Sequence, residues 1–270
     1  MSITLSELNV YPIKSARGIA MRSAEITDRG LRHDRRWMLV DATGRFMTQR
    51  EFPRMALIDV SVSENSLNVR APAMKNLHIP FSVQQAHAKP VVVWHDLVEA
   101  VPMGESADTW FSQFLGSECQ LVFMPEYAHR AVDRGFAFHD EIVSFADAFP
   151  MLLISEASLD DLNSRMSVRL PMSRFRPNLV VSGCEAYAED SWHEIMVGDV
   201  WLHVVKPCAR CAITTVDQET GMRGDEPLRT LASYRKRDGK VYFGQNLLHA
   251  QDGALHLGDN VSIISRREPE

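Results

Sequence analysis

The residues best suited to chemistry lie in Val204-Val-Lys-Pro-Cys-Ala-Arg-Cys-Ala-Ile-Thr-Thr-Val-Asp217, where Cys208 and Cys211 stand three positions apart with Arg210 between them. A thiolate at either position gains from a neighbouring cation. One Cys-x-x-Cys pair supplies half of a tetrahedral zinc site. The chain has no second pair, so His203 and His249 would have to complete it. A thioredoxin-like redox pair needs the motif at the start of a helix, whereas the β-branched run Ala212-Ile-Thr-Thr-Val216 reads as a strand. The third reading is one exposed thiolate acting alone as ligand or nucleophile, with the other cysteine supporting its environment. Soft thiolates suit soft or sulfur-rich metal centres. Cys119 and Cys184 lie singly among apolar neighbours, as buried inert thiols do.

Basic and hydroxyl residues recur in three further places: Lys14-Ser15 after Tyr11-Pro12, Asp34-Arg35-Arg36 before Trp37, and Arg174-Phe-Arg176-Pro-Asn178. Each alone reads as a solvated charge or an ion pair. Together they would form a phosphate-binding wall, since Arg, Lys and Ser are natural partners for an anion.

The chain that must position these groups has 270 residues, 45% hydrophobic and 24% charged, enough for one large core or two modest ones. A formal charge of -6 gives no electrostatic reason to approach a phosphate backbone, so nucleic acid is not expected as a partner. Glu7 and Asn9 interrupt what would be the apolar region of a signal peptide. The longest apolar runs, Val91 to Trp94 and Met151 to Ile154, fall far short of the roughly 20 residues that cross a bilayer, so no membrane is expected either. Four cysteines beside 13 methionines are too few for a disulfide scaffold, which points to a reducing compartment, the cytoplasm.

The fold class expected is mainly β with a few helices (α+β). In the first hundred residues Ile58, Val60 and Val62 alternate with polar neighbours, and Asn65-Ser66 turns the chain into Leu67 and Val69. Asp41-Ala-Thr-Gly44 reads as a turn between two strands. A helix capped by Ser106 carries Ala107, Trp110, Phe111, Phe114 and Leu115 on one face before Gly116 ends it. A second begins near Ser155 to Ser158, with Ser158-Leu-Asp-Asp161 as a capping box and Leu159, Leu162 and Met166 as its stripe. From Arg176 onward short strands return, entered at Gly198-Asp199 and Gly258-Asp259, which suggests a barrel. The division between two domains is placed near Gly116 to Leu121, giving 1–118 and 119–267.

One ordered set of segments resembles the MOSC family: Val10-Tyr-Pro-Ile-Lys-Ser15, Phe175-Arg-Pro-Asn178, Asp190-Ser-Trp192 with Gly198-Asp199, Lys206-Pro-Cys-Ala-Arg-Cys211, Thr214-Thr-Val-Asp217, Glu226-Pro-Leu228 and Phe243-Gly-Gln-Asn246. The likeness covers nearly the whole chain, with an N-terminal MOSC β-barrel domain ahead of the MOSC domain proper. It implies a molybdenum cofactor, the ion held by the dithiolene of molybdopterin and by one protein cysteine, which position-matching makes Cys211. Cys208 is then a neighbour. The resemblance places Lys14, Ser15 and Arg35 on the pterin phosphate from one side and Arg176, Asn178 and Arg210 on the other. It puts Asp147, in Ser144-Phe-Ala-Asp-Ala-Phe-Pro150, near the metal as a proton relay. Pyridoxal phosphate binding is a further association of the family.

The activity that the resemblance implies is reduction of small N-hydroxylated compounds such as amidoximes and hydroxylaminopurines. Some bacterial relatives continue into a ferredoxin domain, whereas this sequence ends at Arg266-Arg-Glu-Pro-Glu270. Electrons are therefore expected from a separate ferredoxin-, flavodoxin- or cytochrome-type partner. Met1 to Asn9 does not resemble the targeting segment of mitochondrial members, which fits a bacterial-type protein. The competing readings are a sulfur carrier with a Cys211 persulfide and a noncatalytic cofactor-binding module.

Overall fold

A computed structural model describes residues 2–82 and 87–267. Met1, and residues 268–270 at the C-terminal end, lie outside the described residues. The largest sheet closes on itself. Its strands run in the order Met151–Ser155, Leu179–Ser182, Ile3–Val10, Asn260–Arg266, Trp192–Val197, Val200–Ala209 and Lys240–His249, and the last pairs with the first through Leu153 opposite Gln245. Seven strands thus form a barrel with no free edge along this circuit. The expected fold class, mainly β with a MOSC barrel, is the one observed.

Alternation decides which side chains fill this barrel. Met151 and Leu153 point inward with Leu5, Leu8, Leu179, Val181, Trp192, Ile195, Leu202, Val204 and Leu247. Leu152 and Ile154 point outward onto Leu162, Met172, Phe175, Leu231 and Phe243. Both faces of this strand are covered, which is why its sequence is an uninterrupted apolar run. The tight turn between Trp192–Val197 and Val200–Ala209 is Gly198-Asp199, with Val197 opposite Val200. Gly198 sits at φ 57°, a conformation that favours glycine, and a Cβ there would lie 2.8 Å from Oδ2 of Asp259, so the two Gly-Asp turns lie against each other.

The other half is built on a second sheet, ordered Trp37–Val40, Gln120–Phe123, Asp96–Pro102, Lys89–Val93, and on the hairpin Asp59–Ser63 with Ser66–Arg70. The helix Glu105–Leu115 buries Ala107, Trp110, Phe111 and Phe114 against it. The two halves interleave. The N-terminal strand Ile3–Val10 is a barrel strand, paired with Leu179–Ser182 and Asn260–Arg266, while Gln120–Phe123 pairs back onto Trp37–Val40. Residues 11–15 follow directly on Ile3–Val10 and run beside residues 35–37, with the Arg35 amide donating to Tyr11 O.

Several local expectations are corrected. The hairpin turn is Glu64-Asn65, because Ser63 pairs with Ser66. Gly104, at φ 100°, caps the first helix, and Ser106 lies inside its first turn. The second helix, Glu156–Ser164, is capped by Ser155, whose hydroxyl accepts the amide of Ser158 at 3.1 Å. Ser158 is buried and donates instead to Glu189 at 2.7 Å, while Asp161 pairs with Arg165. Residues Ala212–Thr215 form a 3-10 turn, not a strand. Thr214 and Thr215 donate their hydroxyls to the carbonyls of Cys211 and Ala212 at 3.0 and 2.8 Å, and this local bonding overrides β-branched preference.

Candidate functional site

A cleft of about 740 Å³, including its open mouth, lies where the two halves meet. Lys14, Ser15, Arg35, Asp147, Arg176, Asn178, Arg210 and Cys211 all line it, together with Cys208. Every site residue expected from the sequence is therefore brought to one place, from separate stretches of chain.

The chain reaches this arrangement through buried backbone bonds. The amide of Lys14 donates to Trp37 O at 2.8 Å and that of Arg35 to Tyr11 O at 2.8 Å, so the two segments run side by side. Asp34, almost fully buried, accepts from the Tyr11 amide at 2.8 Å and the Asn178 side chain at 3.0 Å. The Asn178 carboxamide oxygen accepts from Arg35 Nη1 at 2.9 Å. Arg35 and Arg176 each pack on the Tyr11 ring, 4.3 Å from its centroid. Burial pushes the Tyr11 hydroxyl up to about 12, so it stays neutral and donates to Pro177 O. Burial and the neighbouring Arg35 charge pull the Arg176 guanidinium down to about 10.

The lining residues carry four cations, Lys14, Arg35, Arg176 and Arg210, against one carboxylate, Asp147. Asp34, buried behind the cleft, pairs with Arg35 at 2.6 Å, and Asp147 pairs with Lys14, so Arg176 and Arg210 are the cations whose mutual repulsion a bound anion would relieve. Arg210 donates to Phe175 O at 2.6 Å, yet its Nε is buried without a partner. Backbone strain concentrates here too. Ser15, Arg35 and Arg176 lie in the left-handed region at φ 66°, 48° and 56°, as does nearby Trp94 at 58°. Each such residue costs about 1–2 kcal/mol, and strain of this kind persists where surrounding contacts enforce it.

At the other end of the cleft, Lys14 Nζ donates to Asp147 Oδ1 at 2.6 Å and to Phe145 O at 2.7 Å. Trp94 Nε1 donates to the same carboxylate oxygen at 3.3 Å, and Arg50 Nη2 stands 3.6 Å from Oδ2. Burial lowers the Lys14 ammonium to about 8, partly countered by Asp147. The recessed position of Asp147 pushes its carboxyl up. Lys14 and Arg50 override this and hold it well below the usual carboxylate range, although about half its side-chain surface remains open to solvent. Cys211 is half-buried and caps the 3-10 turn at φ -123°. Its Sγ accepts from Arg50 Nη2 at 3.4 Å, while Cys208 Sγ accepts from Arg210 Nη1 at 3.0 Å. Both cysteines are free thiols, each with its own guanidinium.

The zinc alternative is not assembled. Among the described residues no group of three or more His, Cys, Asp or Glu side chains is placed to hold a metal. His203 and His249 line a different depression beside Phe138. A metal at Cys211 must therefore bring most of its own ligands.

The structure adds residues that carry no signal in the sequence. Arg130 donates to the carbonyls of Ser144, Ala146 and Asp147 at 2.9, 2.6 and 3.0 Å and to Asp96 at 2.7 Å, pinning the loop that carries Asp147. Arg50 and Trp94 come from the N-terminal half as isolated residues of common type, with no spacing to mark them. Conversely, some motif residues serve the scaffold. Asp190 joins Arg235 and Gln245, each at 2.6 Å, and Glu226 caps the turn at Thr230.

Comparison with known proteins agrees with this architecture. The MOSC N-terminal beta barrel domain model matches residues 2–118, and the MOSC domain model matches residues 140–262. Mitochondrial amidoxime-reducing component 1 of Mus musculus is 39% identical over 282 residues, covering 97% of this chain and 83% of the relative. The Homo sapiens component 1 is 38% identical over 283 residues with the same coverage. Mitochondrial amidoxime reducing component 2 of Homo sapiens is 34% identical over 281 residues, covering 96% and 82%. With both domains matched in order and this identity sustained along nearly its whole length, the chain belongs to the MOSC family.

Proposed function

We propose that this protein is a molybdenum-cofactor-dependent reductase of small N-hydroxylated compounds that receives electrons from a separate electron-transfer protein. The observation that carries the reading is the convergence of Lys14, Ser15, Arg35, Arg176, Asn178 and Arg210 on the cleft that also holds Cys211. A phosphate-bearing pterin dithiolene fits what is there. The cation excess calls for an anion, the unpartnered Arg210 Nε offers a donor, and Cys211 offers a thiolate to a metal that carries other sulfur ligands. A sulfur carrier needs the reactive thiol but has no use for the cationic wall, so this convergence favours the reductase. Pyridoxal phosphate bound as an imine needs an uncommitted lysine, whereas Lys14 is committed to Asp147 and Phe145.

When bound, the molybdenum centre supplies the two-electron chemistry by which an N–OH compound and two protons become an N–H compound and water. The chain's own groups do the rest. Cys211 Sγ would ligate, and Lys14, Arg35, Arg176 and Arg210 with Ser15 would hold the phosphate, while Asn178, whose amide donors go to Asn9 O and Asp34, would orient Arg35. Asp147 is held ionised by Lys14, Arg50 and Trp94, so it serves better as an organiser of these donors than as the proton relay expected for it. The cleft opens between two halves, the common place for a substrate of modest size.

Ferredoxin-, flavodoxin- and cytochrome-type proteins are all candidate donors. Four free thiols fit a reducing cytoplasmic setting. Among the described residues no helix is long and apolar enough to cross a membrane. The test is reduction of an aryl amidoxime to its amidine by protein from a cofactor-competent host, with reduced methyl viologen replacing the natural donor. Turnover in the wild type and none in Cys211→Ala is expected. Equal rates in both would sink the proposal.

A further inference from the structure

Arg50 is not needed for the phosphate wall, yet it is held more firmly than a surface arginine. Its amide donates to Thr48 Oγ1 at 3.1 Å, and Arg223 donates to the carbonyls of both Gln49 and Arg50. The neighbouring Gln49 side chain donates to Ser15 O at 2.7 Å, tying the same segment to the phosphate-facing loop. The guanidinium lies 4.6 Å from the Trp94 ring centroid and 3.6 Å from Asp147 Oδ2, with 24% of the side chain exposed. Trp94 is itself fixed, through its Nε1 bond to Asp147, its packing 5.1 Å from the Phe46 ring and its left-handed backbone. With one face stacked on Trp94, Nη2 lies between two acceptors, 3.6 Å from Asp147 Oδ2 and 3.4 Å from Cys211 Sγ.

We infer that Arg50 is a positioning residue for the metal ligand: held by Trp94 and Asp147, it donates an N–H···S hydrogen bond that orients the Cys211 thiolate and tunes the metal bound there. The inference rests on the molybdenum reading of Cys211. Hydrogen bonds to a ligating sulfur withdraw electron density from the metal and favour its reduced form, and outer partners of this kind govern both retention and potential. The arrangement also makes the N-terminal half a partner in the chemistry, because Arg50 and Trp94 belong to it while Cys211 belongs to the barrel.

The test uses holoprotein from a cofactor-competent host, as wild type, Arg50→Gln, Arg50→Lys and Trp94→Leu, each checked for folding by circular dichroism. Molybdenum per chain is followed during dialysis, and the midpoint potential and Mo(V) spectrum are read by paramagnetic resonance. Arg50→Gln should lose metal about 10-fold faster or more and shift the potential downward. Arg50→Lys, which keeps a charged donor, should fall between it and wild type, and Trp94→Leu should shift in the same direction as Arg50→Gln. A merely structural arginine would leave the potential and spectrum of the retained metal unmoved, and that result overturns the inference. So does complete metal loss in both folded Arg50 variants, since lysine still offers a donor. Wild type without molybdenum would overturn the cofactor reading and this inference with it. Metal in the wild type beside an unmoved Arg50→Gln overturns this inference alone.

Discussion

The Lys14 ammonium lies 2.6 Å from Asp147 Oδ1, and this contact joins the strand-to-loop segment leaving the barrel to the loop that Arg130 pins above it. Because burial outweighs the pairing, the ammonium is lost as pH rises through about 8. Binding of inorganic phosphate to the apo-protein, followed by calorimetric titration, should weaken through that pH. Lys14→Met should bind weakly throughout and show no step there. Asp147→Asn removes the opposing charge, so its step should move to lower pH. The effect on stability has the opposite sign. Between about 8 and 10.5 the unfolded chain binds the extra proton, so this group's destabilising contribution is relieved as pH rises.

Asn178 is a second hinge of the site. Its carboxamide accepts from Arg35 and from the Leu152 amide and donates to Asn9 O and Asp34, all in a buried setting. Replacement by alanine strands several of these groups and should cost about 3 kcal/mol, read as a lower urea midpoint. A loss below about 1 kcal/mol would mean that water or side-chain movement replaces the network.

Gly244 explains part of the Phe243-Gly-Gln-Asn246 motif. It lies at φ 81°, and a Cβ there would meet Ile154 Cγ1 at 2.6 Å and Leu153 O at 2.8 Å, where strand Lys240–His249 closes the barrel. Gly244→Ala should destabilise by about 2–4 kcal/mol, the combined effect of backbone strain and overpacking. A thermal midpoint equal to that of the wild type would contradict this account of barrel closure.

Much of the site is legible in the sequence because its cations come in recognisable short motifs, and the structure brings Lys14, Arg35, Arg176 and Arg210 to one cleft. The Gly-Asp turns likewise announce barrel strands through turn chemistry, whereas the apolar run 151–154, covered on both faces, has no alternation to mark it as a strand. What escapes is set by contacts distant in sequence. Arg50 and Trp94 acquire meaning only when they meet Asp147, and the crossing of Ile3–Val10 into the barrel depends on pairing with residues 179–182, far along the chain. The turn Ala212–Thr215 escapes for a local reason, since threonine hydroxyls satisfied three residues back defeat a strand propensity.

The assignment of Cys211 as the metal ligand is tested most directly by measuring molybdenum and pterin in purified wild type, Cys211→Ala and Cys208→Ala from a cofactor-competent host. About one molybdenum per chain is expected in the wild type, near wild-type metal in Cys208→Ala, whose thiol faces Arg210, and none in Cys211→Ala. Full molybdenum in a folded Cys211→Ala protein would contradict it.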